Sequence, residues 1–376
     1  MKSYTRKNQH YEIWSGPLSD EKIKATIKRI QILISFFIEG GTPLDTEDSD
    51  LDRWRVYFIY SKGVKTSEPN QSPYSFVGYA TAYRWCALHP QYYTASQPNG
   101  DGVRKDIGAL LDEGTTMDEL PTRFQISQFL ILPPFQASGH GSALYSTIYE
   151  HAQTDKMVWE LTVEDPSEEF DVLRDLNDWK ILEPKFDAAG VSVNASPLEG
   201  QKKRTSSRLP TSKILPVELL RSIRSSTKIA PRQFNRLLEM YLLSKIPLSR
   251  RAAGGANLQK LLIQKWRLQD TNDRLYYWWR LLVKQRIFKK NREILSQLEG
   301  DEKHSKIEET ARGQEDEYEK LLIILAHRAS VPLRNGNGES ANPSVVVERK
   351  RKLVVDEDDD DDGSTSEPDP KALRTS

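Results

Sequence analysis

A nine-residue run, Phe124 to Leu132 (FQISQFLIL), is stopped by Pro133-Pro134. Gln136-Ala137-Ser138-Gly139-His140-Gly141 follows at once, and then an amphipathic stretch to Thr154. Few folds can accommodate that order. The run is apolar and β-prone and predicts a strand, which the prolines end. Glycines let the chain reverse without a Cβ in the way. The apolar spacing from Gly139 onward predicts a helix. A helix starting directly after such a turn presents unbonded N–H groups and the positive end of its dipole, an arrangement suited to a phosphate group.

Three phosphate loops compete for this segment. A Walker loop needs Gly-Lys-Ser/Thr, but Ser142-Ala143 follows Gly141. A Rossmann loop needs a third glycine where Leu144 stands. The Q-x-x-G-x-G pattern of GNAT acetyltransferases, which bind the diphosphate of coenzyme A in this way, is met in full.

A second strand, predicted over Met157 to Val163, leads into Glu164-Asp165-Pro166. The carboxyl end of a strand in an α/β sheet faces the ligand crevice, and Pro166 predicts an extended Asp165. A lysine amine, with a pKa near 10.4, is protonated at neutral pH and must lose a proton before it can attack. A carboxylate raised by burial and by a like-charged neighbour can take that proton. Glu164 fits the role. Glu39, at the end of an apolar helix, is a second candidate. The competing reading makes Asp165 a helix cap.

The rest of residues 10–199 alternates between strand and helix patterns. Strands are predicted at Tyr11–Trp14, Arg53–Tyr60 and Ser75–Cys86, and a helix capped by Ser19 runs to Gly40-Gly41. A short acidic helix is predicted over Ser167–Asp178. Residues 91–122 read as a long loop, of the kind that is functional or disordered. Residues 200–213 read as a polar hinge. Helical periodicity then runs from Pro216 to about His327, with Trp278 and Trp279 expected in the core. Residues 329–376 are too poor in apolar side chains to fold and end in a basic cluster and an acidic run. The chain thus divides into a core over 1–199, a basic helical domain over 200–328 and a tail.

A formal net charge of zero hides an asymmetry. Residues 201–300 carry 23 Lys and Arg against 6 Asp and Glu, a net of +17, while Asp356–Asp362 is wholly acidic. Charged partners follow from this, unless these are simply solvated faces. No nucleic-acid motif accompanies the basic block, so direct binding to nucleic acid is not expected. The single cysteine, Cys86, excludes an internal disulfide, and the six histidines lack metal-ligand spacing, so no metal is expected. The polar, basic start is not a secretory signal, no apolar run could span a membrane, and the one cysteine fits a reducing compartment. Arg349–Lys352 has the form of a nuclear import signal, and both nucleus and cytoplasm suit such a chain.

The run Gln128–Gly141 (QFLILPPFQASGHG), with Thr162–Pro166 (TVEDP), Leu173-Arg174-Asp175 and Ile30–Gly41 (IQILISFFIEGG), resembles the catalytic subunit of type B histone acetyltransferases, in a fungal form. The likeness extends from about Tyr11 to about His327. It implies a GNAT fold, a mixed and mostly antiparallel sheet flanked by helices and followed by a helical domain. It implies acetyl-CoA as donor and direct attack by a lysine in a ternary complex. The implied substrate is newly made histone four, free or with histone three, through lysines of its N-terminal tail, with a WD-repeat histone-binding subunit as partner. Glu164 becomes the general base, assisted by Glu39 and Asp165. The backbone of Phe129, Leu130 and Ile131 would pair with the pantetheine arm. Gln136, Ala137, Ser138, Gly139, His140, Gly141 and Ser142 would wrap the diphosphate, and Ser167 would add a contact. Leu176 falls where some members place a cofactor-binding arginine. Tyr83, Arg84 and Trp85 fall where the family touches the histone tail. The family's N-terminal domain is expected to be missing, and residues 91–122 stand as an insertion beside the substrate residues. Two other readings stay open: a GNAT enzyme acting on small amines or protein N-termini, and a histone-binding protein with little catalysis.

Overall fold

The computed structural model describes residues 1–63, 72–86, 121–199 and 209–330. Most of the 91–122 segment and almost all of the 329–376 tail lie outside these residues.

Six strands form one sheet in chain order. They are β1 (Lys2–Arg6), β2 (Gln9–Pro17), β3 (Trp54–Lys62), β4 (Tyr74–Cys86), β5 (Thr122–Ile131) and β6 (Val158–Val163). All neighbours are antiparallel except β5 and β6. That parallel pair needs a crossover, supplied by helix α3 (His140–Thr154). The sheet is mixed and mostly antiparallel, with helices on both faces, as expected. The hairpin strand β1 was not anticipated, because its five mostly exposed residues carry no apolar alternation.

The sheet is covered on both faces. Leu18, Ile27, Val56, Phe58, Tyr79 and Leu130 pack on one side under α1 (Glu21–Ile30) and α2 (Ile32–Phe37). The side chain of Asp20, not Ser19, caps α1, accepting from the amides of Lys22 and Ile23. Asp at the N-cap also complements the helix dipole. On the other face Ile13, Tyr57, Ala80, Ile126, Leu144 and Ile148 pack with Phe170 of α4 (Glu168–Ala188). Helix α4 has 21 residues, where a short helix ending at Asp178 was expected. Its middle carries Arg174, Asp175 and Asp178, charged yet buried, which disguises an inward face as a solvated one.

The C-terminal helices build a second core on α4. They are α5 (Thr211–Ile214), α6 (Val217–Thr227), α7 (Pro231–Ser244), α8 (Leu258–Gln264), α9 (Thr271–Lys290), α10 (Arg292–Ser296) and α11 (Gly300–Ser330). Trp179, Leu182 and Phe186 of α4 join Leu237, Tyr241, Trp278, Trp279 and Tyr318 there. Both tryptophans are core residues, as their spacing predicts. An isolated bridge between Leu161 and Ile229 fastens the same region to β6. Among the described residues no helix is long and apolar enough to cross a membrane.

Candidate active site

β5 and β6 separate where the site lies. Their parallel pairing covers Thr122–Ile126, and the Glu164 amide donates to the Ile126 carbonyl at 2.9 Å as the last rung. On the opposite edge β5 pairs with β4, Thr81 facing Gln128 and Ala82 facing Ile126, so Ser127 is an extra residue, a β-bulge. The bulge reverses which residues face which neighbour. The Ile126 carbonyl faces β6, yet the Gln128 amide bonds Thr81 Oγ1 and the Leu132 amide bonds the Val77 carbonyl, both towards β4. By the two-residue alternation Leu130 also faces β4. Its carbonyl lies 2.3 Å from where a Cβ on Gly78 would sit, a contact only glycine allows. Of the three residues assigned to the pantetheine arm, Phe129 and Ile131 therefore turn their backbone groups to the open edge, and Leu130 does not.

The turn beyond β5 caps this edge. The Gln136 side-chain amide donates to the Ile131 carbonyl at 2.8 Å. Ala137 and Gly139 both take positive φ, 55° and 82°, and Gly139 is the N-cap of α3. The first helical bond runs from the Ala143 amide to the Gly139 carbonyl, so the amides of His140, Gly141 and Ser142 have no acceptor within the helix. Gly141 serves packing as well: a Cβ there would lie 2.6 Å from Leu173 Cδ1 of α4. Asn177 of α4 donates to Ser142 Oγ at 3.2 Å. His140 is buried, with Nδ1 2.8 Å from the Tyr4 hydroxyl and its ring 4.3 Å from that of Tyr11. Burial, and then the charge of Arg6, holds His140 below the usual imidazole range, which favours the neutral ring.

Glu164 stands at the mouth of the opening, and Ser127 Oγ donates to its Oε2 at 2.5 Å. The carboxylate is exposed, not buried as anticipated. Asp165 is exposed too, and its φ of 31° is left-handed where Pro166 predicted extension. Pro166 disfavours the right-handed helical region at Asp165, but aspartate tolerates the left-handed one. The cap of α4 is Ser167, which accepts from the Phe170 amide at 3.3 Å, so its expected role as a cofactor contact competes with capping. Glu39 is exposed in the turn after α2. That turn is tied to β5, because Gln128 Nε2 donates to the Thr42 carbonyl at 2.9 Å.

Tyr83, Arg84 and Trp85, expected to touch the histone tail, do not share one surface. Tyr83 donates to Asp50 at 2.6 Å and packs on Trp54 and on Trp85, which is half exposed. Burial, then the bond to Asp50, pushes the Tyr83 hydroxyl up to about 12. Arg84 lies on the opposite face of β4, paired with Asp155 at 2.5 Å. Alternation along a strand allows no other outcome. Ser127, Asn177 and Tyr4 were not foreseen. The one available signal was Tyr4 and Tyr11 facing each other across a hairpin that had not been recognised.

The sequence is similar to curated proteins described as "Histone acetyltransferase type B catalytic subunit". The relative from Aspergillus oryzae is 45% identical over 351 residues, covering 92% of this chain and 67% of that protein. The chain belongs to this family. The relative from Aspergillus fumigatus is also 45% identical, over 91% of the chain and 59% of its own length. That from Emericella nidulans is 43% identical, over 87% and 66%. The chain thus spans about three fifths to two thirds of the length of these type B subunits. Two family models match, "Histone acetyl transferase HAT1 N-terminus" over residues 1–39 and "Fungal HAT1, C-terminal" over residues 201–246. The first covers β1 to α2, so sequence assigned wholly to the acetyltransferase core includes part of the family's N-terminal region. A solved structure of Arabidopsis thaliana NAA60 with acetyl-CoA aligns at 12% identity and a TM-score of 0.25, over 40% of this chain and 74% of that one.

Proposed function

We propose that this chain transfers the acetyl group of acetyl-CoA to lysine side chains in the N-terminal tail of histone four. The observation that carries the reading is the bulge at Ser127. It turns the backbone of Phe129 to an open strand edge and sets Ser127 against Glu164 at the mouth of the same opening. An extended arm bearing an amide and a carbonyl can pair with such an edge as a strand would. The amides of His140, Gly141 and Ser142 suit a diphosphate at the outer end. Acetyl-CoA, when bound, supplies the activated acyl group.

The residues of the chain do the rest. Glu164 takes the proton of the lysine ammonium, directly or through one water, and Ser127 fixes its orientation. The freed amine attacks the thioester carbonyl, the C–N bond forms, the C–S bond breaks, and the second proton of the nitrogen passes to the departing thiolate, which leaves as coenzyme A. Glu39 and Asp165 supply negative charge that attracts a cationic tail, and Tyr83 and Trp85 offer it an aromatic wall. Histone four, free or with histone three, is the partner this chemistry fits. A WD-repeat subunit and residence in nucleus and cytoplasm belong to the same reading.

Transfer of labelled acetyl to a histone-four tail peptide tests it. The natural chain should transfer, and Glu164→Gln should lose about 100- to 10,000-fold in rate with acetyl-CoA binding intact. Equal rates for the two would remove Glu164 from the mechanism. Faster transfer to small polyamines than to the peptide would replace the substrate.

A further inference from the structure

The hairpin strand β1 delivers a cation to the phosphate turn. Tyr4 and Arg6, two residues apart, point to the same side of β1. Tyr4 stacks on Tyr11 at 5.4 Å and bonds His140, which anchors the strand over the start of α3. Arg6 then reaches Gly139. Its Cζ, Nη2 and Nη1 atoms lie 2.6, 2.7 and 2.9 Å from the point that a Cβ on Gly139 would occupy. The guanidinium thus lies flat on the helix N-cap, in space that only glycine leaves open.

That position is electrostatically adverse for the protein alone. A cation at a helix N-terminus opposes the dipole. Among the described residues no carboxylate pairs with Arg6. The charge of Arg6 is also felt by Lys180 of α4. Burial first, then the charges of Arg328 and Arg6, pushes Lys180 down from the ordinary lysine range. A guanidinium laid against the open amides of a helix N-terminus makes a place for an anion.

We infer that Arg6 is a ligand of the coenzyme A diphosphate, closing the turn 136–142 from the side opposite the α3 amides. The N-terminal hairpin is then part of the donor site and not only an edge of the sheet. This assignment rests on the acetyltransferase reading above, and it names a residue outside the glycine turn. The planar fork of an arginine suits two phosphate oxygens at once.

Calorimetric titration of the full chain with acetyl-CoA and with 3′-dephospho-acetyl-CoA tests it. Arg6→Gln should weaken both ligands by about tenfold or more, as expected for the loss of a charge-assisted bond, and Arg6→Lys should keep most of the affinity. Both variants should melt like the natural chain. Natural affinity in Arg6→Gln would overturn the assignment. Equal losses in the two variants would mean that Arg6 packs rather than pairs. A loss confined to acetyl-CoA would move Arg6 to the ribose 3′-phosphate and off the diphosphate. Failure of the natural chain to bind either ligand would instead refute the acetyltransferase reading, and this assignment with it.

Discussion

Ser127 shows how much of the site depends on one backbone irregularity. It donates to Glu164 because it is the extra residue of a bulge, displaced from the regular alternation. Ser127→Ala should keep the bulge and lose only the bond. The expected result is a fall in kcat of about three- to tenfold, with the KM for acetyl-CoA unchanged, since a single net hydrogen bond contributes about 1 kcal/mol. Steady-state rates with a histone-four tail peptide read this directly, and natural kcat in the variant would show that Glu164 does not depend on Ser127. That a turn stands at 136–142 and that Glu164 follows the end of β6 was legible from residue types alone. Ser127 was not, because a bulge follows from the register of β5 against β4, which no local pattern encodes. Nor was the exposure of Glu164, which depends on how far β6 diverges from β5.

Among the elements, strands β3 to β6 and helix α3 were readable within a few residues, because their apolar and aromatic runs are long. Helix α4 was read ten residues short, since its buried charges break the apolar stripe. Helix α3 hides a different feature. His151 lies in its last turn, where the dipole favours a cation. Burial wins and pushes His151 down to about 4, helped by the charges of Arg55 and Arg84 and opposed by Asp155. Its Nδ1 is 2.5 Å from the Tyr57 hydroxyl. The folded value lies below the unfolded one, so the folded protein refuses a proton that the unfolded chain accepts. The contribution of His151 to stability is full above pH 6.5 and is lost as pH falls through 4. Urea denaturation at pH 7, 5.5 and 4 should show stability falling across this window, and His151→Gln should flatten the fall. An identical slope in the variant would assign it to other groups.

At the scale of the molecule, the basic helical region is not an appendage, for α4 belongs to both cores. Tyr145 of α3 donates to Asp178 of α4 at 2.7 Å. One turn away Asp175 accepts from Gln233 at 3.0 Å and from Arg236 at 2.9 Å, both on α7. Arg236 reaches on to Glu317 of α11 at 3.3 Å and lies 5.6 Å from the ring of Tyr318. Tyr318 donates to Glu239, which also holds Arg286 of α9. The chain of contacts begins on the helix that follows the turn at 136–142 and ends in the C-terminal helices, and most of it is shielded from water. The strong positive charge of residues 201–300 predicted charged partners, yet several of these arginines spend their charge on internal carboxylates. This is why composition alone overstated the free basic surface. Removing one member of such a pair strands the other, which is costlier than never having had either. Arg236→Ala leaves the buried Asp175 carboxylate with Gln233 alone. We expect it to lower the unfolding free energy by about 3–5 kcal/mol, and the double variant Arg236→Met with Asp175→Asn to recover a large part of the loss. Equilibrium urea denaturation of the three proteins decides the matter. If Arg236→Ala unfolds like the natural chain, the network does not join the two cores, and the sheet and the C-terminal helices should then unfold in separate transitions.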